Sequence, residues 1–489
     1  MALLVASVGL SIPVDVPDSE DLGSRSVFRW DADTLFASLE ALFLETRTVS
    51  FAEAESAARA MEASGSALRA ELSAHETAPF DALRSLAEAQ FRYAVLGAAH
   101  PQLLDDAEAF VTATRVAVMR AAAGWPSDRA THEALYRVVF GGRMAIEEAL
   151  VQAGGGGLAA VEIIEEIASE APYIDVQGVR VHSGDLLLSR GGAPTSALIA
   201  RGSDFANTFS HVGLAHVDPE TGRGTVVESL IESGSVLTTV DEYLASKKHR
   251  ILVLRMRPDH PALLADPLLP HRAATRMLDR LRAVPVPYDF AMRWQEDGSM
   301  FCSEVVYHAF RAEGAELWSV RSAMTAAGLV RWLASMGVRE FHTLVPSDLE
   351  YDARFRAVAA WRDIPALLEY RRDNAITDVL LEEADLGRDL GYPWYALPMA
   401  RLLKGASVVQ GLTGREPSIP RGMSADAALR VNALVSRVNP TIKAELAVRE
   451  EAFHRDNGYR APYWTLVELA RASLAAVDAE LGEALSPRE

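Results

Sequence analysis

The chain has 489 residues, of which 49% are hydrophobic, so it can form a sizeable core, and its length predicts two to four domains. A net charge of −19 argues against nucleic acid or an anionic membrane as a general partner, because phosphate groups bind basic surfaces. The single cysteine excludes an intramolecular disulfide and a cysteine-based zinc site, and no apolar run is long enough to predict stable insertion into a membrane.

The N-terminal segment and linker cover residues 1–29. Residues 2–14 are apolar but lack the basic residues that precede the apolar core of a signal peptide. We interpret them as an ordered or frayed start, with an export signal as the alternative. A cytoplasmic location is therefore the expectation, and export is the alternative. Residues 15–29 are acidic and polar, as is typical of a linker.

Residues 30–171 form a predicted helical region. Asp31 or Asp33 is a suitable N-cap for a first helix, whose apolar positions begin at Leu35. Further helices are predicted over 66–72, 79–96, 101–122, 127–151 and 158–169, and prolines stand near several of the boundaries. Glycines at 154–157 predict a flexible break. No repeat of fixed period is present, which favours an irregular bundle over a solenoid.

The hydrophobic period changes from helical to strand-like after residue 172. Predicted strands cover 173–176, 179–181, 186–188, 209–217, 225–230, 236–239 and 251–256, with helical segments at 197–201 and 271–283. The turn sequence between the strands that end at Val217 and begin at Thr225 favours antiparallel pairing. The expected class is α+β, an antiparallel sheet with packed helices.

The helical pattern returns towards the C-terminus. Helices are predicted over 323–336, from Ser347 or Asp348 onward, and over 370–387, 396–404, 425–438, 442–453 and 465–485. A polar loop is expected at 411–422. Two aromatic turns, 391–395 and 460–464, are interpreted as helix packing and not as ligand sites.

Cys302 is the first candidate for chemistry. Turn-forming residues precede it and apolar residues at helical spacing follow it, so we predict that it lies in the first turn of a helix. The positive end of a helix dipole favours a thiolate there. The alternative is a small buried hydrophobe on the stripe that includes Val305 and Val306. Glu304 would oppose a thiolate, but its spacing predicts that it points to the other side of the helix.

His211 and Glu228 are the candidate base and orienting group. His211 begins a strand in which Gly213 and Ala215 share its face and leave room for a helix end to approach. If Gly213 pairs with Glu228 on the next strand, Glu228 lies diagonally beside His211. A structural histidine and a half-exposed edge carboxylate are the alternatives. Thiol, imidazole and carboxylate together match the requirements of a catalytic triad.

Five motifs in this order resemble one family. They are Gly184-Asp185, Ser210-His211-Val212-Gly213, Val227-Glu228, Pro287-Tyr288-Asp289 and Phe301-Cys302-Ser303-Glu304. They are similar to the circularly permuted NlpC-type papain-like fold, in its YiiX/YaeF-like branch, over about 173–349. The resemblance implies a catalytic domain at 172–350, followed by a C-terminal helical region at 351–489.

The same resemblance implies a Cys302–His211–Glu228 triad, with Tyr288 beside the nucleophile as an oxyanion donor. The expected activity is hydrolysis of an amide, peptide-like or in a lipid, through a thioester. No metal and no cofactor are expected. Alternatives are a lipid acyltransferase or thioesterase that uses the same triad, and a non-catalytic binding protein. The substrate, the oligomeric state and the role of the helical flanks stay open.

Overall fold

A seven-stranded antiparallel sheet organises the computed structural model, which describes residues 35–154, 158–246, 248–324, 327–412, 417–420 and 422–487. The strand order is β1-β11-β8-β4-β5-β6-β7, and three two-stranded ribbons, β2–β3, β9–β10 and β12–β13, accompany it. The strands are β1 (Val161–Ile163), β2 (Tyr173–Val176), β3 (Val179–His182), β4 (Leu186–Gly191), β5 (His211–Val217), β6 (Gly224–Leu230), β7 (Gly234–Thr239), β8 (Lys248–Met256), β9 (Ser322–Ala323), β10 (His342–Thr343), β11 (Phe355–Arg362), β12 (Arg388–Leu390) and β13 (Leu485–Pro487).

Helices flank this sheet on both sides in the sequence and cover it in space. They are α1 (Leu35–Thr46), α2 (Phe51–Glu71), α3 (Phe80–Ala99), α4 (Leu104–Ala121), α5 (Arg129–Gln152), α6 (Pro194–Arg201), α7 (Val240–Ala245), α8 (Pro261–Ala265), α9 (Leu269–Ala283), α10 (Cys302–Arg311), α11 (Ala327–Met336), α12 (Ile364–Asp385), α13 (Ala396–Leu412), α14 (Ala425–Ala433), α15 (Asn439–Asn457) and α16 (Tyr463–Leu481). The predicted α+β class is confirmed.

Each face of the sheet has its own apolar core, because alternate residues of a strand point to opposite sides. On one face, Val212, Leu214 and Val227 pack against α9 and α10. On the other face, Ala215 and Val226 pack against the β2–β3 hairpin and α7. Burial on both sides accounts for the nearly continuous apolar sequence of β5 and β6.

One motif that suggested the family, Gly184-Asp185, has a structural role here. Gly184 has a φ of 94° and lies so close to Pro270 that a Cβ would come within 2.2 Å of it. Asp185 next to it accepts hydrogen bonds from Arg255 Nε (2.9 Å) and Nη2 (2.8 Å) and from the N–H of His182 (2.7 Å). These contacts tie the start of β4 to β8 and to the β2–β3 hairpin.

The N-terminal helices are joined to the sheet domain by buried charges. A 3₁₀ turn, Pro346–Tyr351, carries Glu350 among α4, α5 and the loop before β5. The Glu350 carboxylate accepts hydrogen bonds from Arg143 Nε (2.8 Å) and Nη2 (2.9 Å), from Arg115 Nη1 (3.2 Å) and from Asn207 Nδ2 (3.1 Å). Burial raises the pKa of Glu350, but the two guanidinium groups outweigh it and lower that pKa to about 2.

Several predicted elements differ from the structure. The predicted helix 158–169 is wrong, because Val161–Ile163 pairs as edge strand β1 with β11. Strand β11 was not predicted, and the predicted helix from Ser347 or Asp348 is only the 3₁₀ turn. The sheet therefore extends beyond 172–350 on both sides.

Some sequence predictions lie outside the described residues. These are the predictions for residues 1–29, for the caps at Asp31 and Asp33, for the glycines at 155–157 and for part of the 411–422 loop. Among the helices that the structure describes, none combines the length and the hydropathy that crossing a bilayer requires.

Candidate active site

His211 and Glu228 meet through the register of two neighbouring strands. Leu214 of β5 pairs with Val227 of β6. Continuing this register places Gly213 opposite Glu228, which is the pairing that the expected contact between His211 and Glu228 depends on. The imidazole Nε2 of His211 and the Oε2 of Glu228 are 2.7 Å apart. Burial raises the pKa of Glu228, but the hydrogen bond and positive charge of His211 lower it below its usual range.

Two further side chains hold this pair, and the sequence did not single out either of them. Thr238 of β7 donates a hydrogen bond from Oγ1 to the other oxygen of Glu228 (3.0 Å). The ring of Tyr243 in α7 stacks on that of His211, with 6.5 Å between centroids. Tyr243 is fixed in turn because its hydroxyl donates a hydrogen bond to the Leu187 carbonyl and accepts one from Ser189 Oγ, both 3.0 Å. His211 is thus oriented by an acceptor and by a stacked ring.

Cys302 is the first residue of α10, where the sequence placed it. It is 6% exposed and belongs to the apolar core with Val305 and Val306. Cys302 is therefore both the start of a helix and a buried residue, which the sequence had offered as alternatives. Burial raises the pKa of the thiol, but a hydrogen bond and positive charge from His211 and the N–H of Val212 lower it below its usual value. The first N–H groups of a helix have no intrahelical acceptor, which also favours a thiolate.

The His211 ring is the partner of this thiolate. Burial lowers its pKa, but hydrogen bonds to Cys302 and Glu228, together with their charges, raise it to about 9. Because Nε2 is bonded to Glu228, Nδ1 is the nitrogen left for Cys302. The two shifts have the same cause, the contact between the Cys302 sulfur and the His211 ring, and both favour the charged forms.

Helix α10 does not approach His211 over the sheet face of Gly213 and Ala215, as the sequence predicted. The space beside Gly213 is filled, because a Cβ there would lie 2.5 Å from Val226 and 3.3 Å from Tyr243. Helix α10 packs on the other face, against Val212 and Leu214. His211 is the first residue of β5, so the contact with Cys302 forms at the end of the strand, where face alternation no longer separates them.

Tyr288 lies on the loop that runs from α9 to α10. The N–H of Ser235 donates to the carbonyl of Val286 (2.8 Å), and the N–H of Met300 donates to the carbonyl of Pro287 (2.9 Å). Gly234, with a φ of 76°, allows this close approach. Burial raises the pKa of Tyr288, and the negative charge of Cys302 adds to it, so the phenol stays protonated beside the thiol.

Glu304 behaves differently from its prediction. Its carboxylate turns back along the helix and accepts a hydrogen bond from the N–H of Phe301 (2.6 Å) instead of pointing away. It is fully buried, and its Oε1 has no hydrogen-bond partner. Burial raises its pKa most, and the charges of Asp289 and Cys302 raise it further, so that the pKa of Glu304 is about 9. Glu304 is therefore neutral at pH 7, and its proton removes the expected conflict with a thiolate.

The C-terminal helical region reaches the edge of this site. Ile419 and Met423 form a small apolar cluster with Phe290, two residues after Tyr288. A Cβ on Gly422 would lie 2.5 Å from the Phe290 ring and 3.4 Å from the carbonyl of Tyr288. Ile419, Gly422 and Met423 therefore form part of the wall beside Tyr288.

A separate apolar cavity of about 270 Å³ lies between the helical flanks and the central domain, which contributes Arg201, Ala206 and Leu329 to its lining. Phe36 of α1, Phe91 of α3, Phe140 of α5 and Trp464 at the start of α16 contribute to its walls. None of the four predicted site residues is among the described residues that line it. Over the described ranges, no group of three or more histidine, cysteine or acidic side chains is arranged to hold a metal ion.

Comparison with known proteins concerns the central part of the chain. Residues 180–359 match the family described as permuted papain-like amidase enzymes, YaeF/YiiX. The helical regions on either side lie outside the match, and neither curated proteins nor solved structures gave a match. The matched segment contains Cys302, His211, Glu228 and Tyr288 and all of the seven-stranded sheet except β1 and the end of β11. Over residues 180–359 the chain is therefore similar to the permuted papain-like amidases, and this similarity supports a cysteine hydrolase in general.

Proposed function

We propose that this protein hydrolyses an amide bond through a thioester on Cys302, with His211 as acid and base and Glu228 as the group that orients His211. The observation that carries the proposal is the continuous contact from thiol to imidazole to carboxylate, in which the pKa of the thiol is lowered and that of the imidazole is raised. A cysteine and a histidine that only fill a core do not need a contact that shifts the pKa values of both side chains.

In the first step, the Cys302 thiolate attacks the carbonyl carbon of the substrate. Negative charge develops on the carbonyl oxygen, and we assign its stabilisation to N–H groups in the first turn of α10 and to the Tyr288 hydroxyl. His211 then gives its proton to the leaving amine, the C–N bond breaks, and the acyl group remains on Cys302 as a thioester.

In the second step, neutral His211 removes a proton from a water molecule, which attacks the thioester. The C–S bond breaks, the carboxylic acid product leaves, and the thiolate–imidazolium pair is restored. Glu228 holds Nε2 throughout, so that Nδ1 faces the reacting atoms. The description of the family as amidases favours an amide substrate, and Tyr288 with the neighbouring Ile419 and Met423 would contact it beside Cys302.

Cys302 provides a direct test because it is the only cysteine. We expect iodoacetamide to modify the folded protein well below pH 8, and Cys302→Ala to lose product formation from any amide that the wild type cleaves. Modification only after denaturation, or product formed by Cys302→Ala, would contradict the proposal. Adding amine, alcohol and lysolipid acceptors to the same assay separates hydrolysis from transfer. Acceptor-dependent product formed at the expense of acid would replace hydrolysis by acyl transfer through the same thioester.

A further inference from the structure

The ring of Tyr243 occupies the space that a side chain at position 213 would need. A Cβ on Gly213 would lie 3.3 Å from Cε2 and 3.6 Å from Cζ of that ring. Because Gly213 has no side chain, the ring packs directly on strand β5, two residues after His211. The glycine of the Ser210-His211-Val212-Gly213 motif therefore makes room for an aromatic ring, and not for the helix end that the sequence predicted.

The position of Tyr243 is tightly defined. Its side chain is 1% exposed, and its hydroxyl is bonded to β4 as described above. Helix α7, which carries it, begins with a capping box. The N–H of Glu242 donates to Thr239 Oγ1 (3.2 Å), and the N–H of Thr239 donates to the Glu242 carboxylate (2.8 Å). The ring is thus held by the sheet at its hydroxyl end and by a capped helix at its backbone.

Lys248, the first residue of β8, makes a further contact with the same tyrosine. Its Nζ lies 3.6 Å from the centroid of the Tyr243 ring. The ammonium also donates to the carbonyl of Tyr243 (3.3 Å) and to Ser246 Oγ (2.6 Å). A cation over an aromatic ring is attracted by the negative charge of the ring face, and the attraction is stronger where water is partly excluded, as at the half-buried Lys248. Lys248 therefore holds both the ring and the main chain of Tyr243.

The charge of Lys248 also acts on the carboxylate of the candidate triad. Burial lowers the pKa of Lys248, and the negative charge of Glu228 raises it. Burial raises the pKa of Glu228, whereas the hydrogen bond and charge of His211, and then the charge of Lys248, lower it. The groups that face His211 are thus Glu228 of β6, Cys302 of α10 and Tyr243 of α7, with Lys248 of β8 next to Tyr243.

We propose that Tyr243 and Lys248 are positioning residues for His211. The hydrogen bond to Glu228 fixes one nitrogen of the imidazole, and the stacked ring of Tyr243 fixes the plane of the imidazole. With both fixed, Nδ1 faces Cys302 throughout the reaction. Lys248 acts through the other two residues, because it holds the Tyr243 ring and favours the charged form of Glu228. This inference rests on the proposed function, since it assumes that His211 acts on Cys302.

The test is the pH dependence of Cys302 alkylation by iodoacetamide, which needs no substrate. Only the thiolate reacts, so the rate reports how well His211 stabilises it. In Tyr243→Leu we expect the rate at pH 7 to fall at least about tenfold, and the half-maximal rate to move up by about one pH unit, towards that of a free thiol. Lys248→Met should lower the rate about threefold. Tyr243→Phe and Lys248→Arg keep the ring and the cation, and should stay within about twofold of the wild type.

Tyr351→Leu and Lys443→Met are the matched controls. Tyr351 is as buried as Tyr243 and its hydroxyl donates to Asp348 (3.3 Å), while Lys443 is half-buried and donates to Asp373 (3.1 Å). Both variants should lower the unfolding midpoint and leave the alkylation profile as it is in the wild type. An unchanged profile in Tyr243→Leu, or an equal change in Tyr351→Leu, overturns the proposal.

Failure of the proposed reaction gives a different result, because Cys302 of the folded wild type would then not react below pH 8. Nuclear magnetic resonance of ¹⁵N-histidine-labelled protein, with His211 assigned through His211→Gln, still decides on the positioning role. We expect a persistent Nε2–H resonance in the wild type, protected by the bond to Glu228, and its loss through exchange with water in Tyr243→Leu. An equally persistent resonance in Tyr243→Leu overturns the proposal.

Discussion

Glu228 and Glu350 are two buried glutamates with lowered pKa values and opposite surroundings. Glu228 is paired with a histidine whose side chain keeps 17% of its exposure, whereas Glu350 is paired with two arginines and is fully enclosed. An imidazole changes its charge within the working pH range of most enzymes, but a guanidinium does not. The first pair can therefore take part in proton transfer, while the second can only hold the N-terminal helices against the sheet domain.

The first prediction separates the two carboxylates by activity. Glu228→Gln keeps the shape of the side chain but removes the charge that stabilises the His211 imidazolium. We expect kcat/KM to fall by roughly 10²- to 10⁴-fold, with the unfolding midpoint nearly unchanged. Glu350→Gln is the matched control and should keep kcat close to the wild-type value. Equal losses of kcat/KM in Glu228→Gln and Glu350→Gln would contradict the proposed difference between the two carboxylates.

The second prediction measures the same pair of variants by stability. Glu350→Gln leaves Arg143 and Arg115 buried without their counter-charge, so we expect a loss of roughly 3–5 kcal/mol in the free energy of unfolding. The folded-state pKa of Glu350 is depressed to about 2. Its contribution is therefore complete above the ordinary glutamate pKa and is lost as pH falls from there towards 2. Denaturant titrations at neutral and acid pH should show a difference between wild type and variant that shrinks in acid.

The third prediction concerns the pH dependence of activity, because the partner of Glu228 is a histidine that titrates. The pKa of His211 is raised to about 9, and that of Cys302 is lowered from its usual value. We expect kcat/KM to be bell-shaped, falling on the acid side as the thiolate is protonated and falling about tenfold per pH unit above about 9 as the imidazolium is lost. The pair titrates together, so both limbs belong to the pair. In Glu228→Gln the basic limb should move to lower pH, and an unmoved limb would contradict the coupling.

The parts of the site that depend on neighbouring stretches of sequence could be anticipated. The observed register of β5 and β6 meets the condition under which His211 was expected beside Glu228, and the turn before Cys302 predicted a helix start. Glu350 was not singled out, because its partners Arg115 and Arg143 are more than two hundred residues away in the chain. Non-local pairing also decided β1 and β11, whose residues have a helical pattern but complete the sheet edge.

Glu304 tests whether the comparison extends to a third buried carboxyl, one without a cationic partner. Its pKa of about 9 is set by burial first and by the nearby charges of Asp289 and Cys302 next, so at pH 7 it is a neutral acceptor for the N–H of Phe301.

Glutamine has nearly the same shape, is neutral at every pH and keeps an oxygen for that N–H. We therefore expect Glu304→Gln to retain activity within about threefold, the smallest effect of the series, with an unchanged pH profile of Cys302 alkylation below pH 9. Glu304→Ala is the comparison variant, because it removes the acceptor at the start of α10 and should cost about 0.5–2 kcal/mol of stability. A fall of more than tenfold in Glu304→Gln, with stability intact, would mean that the Glu304 proton is exchanged during the reaction, and the site would then contain a second titrating acid besides His211.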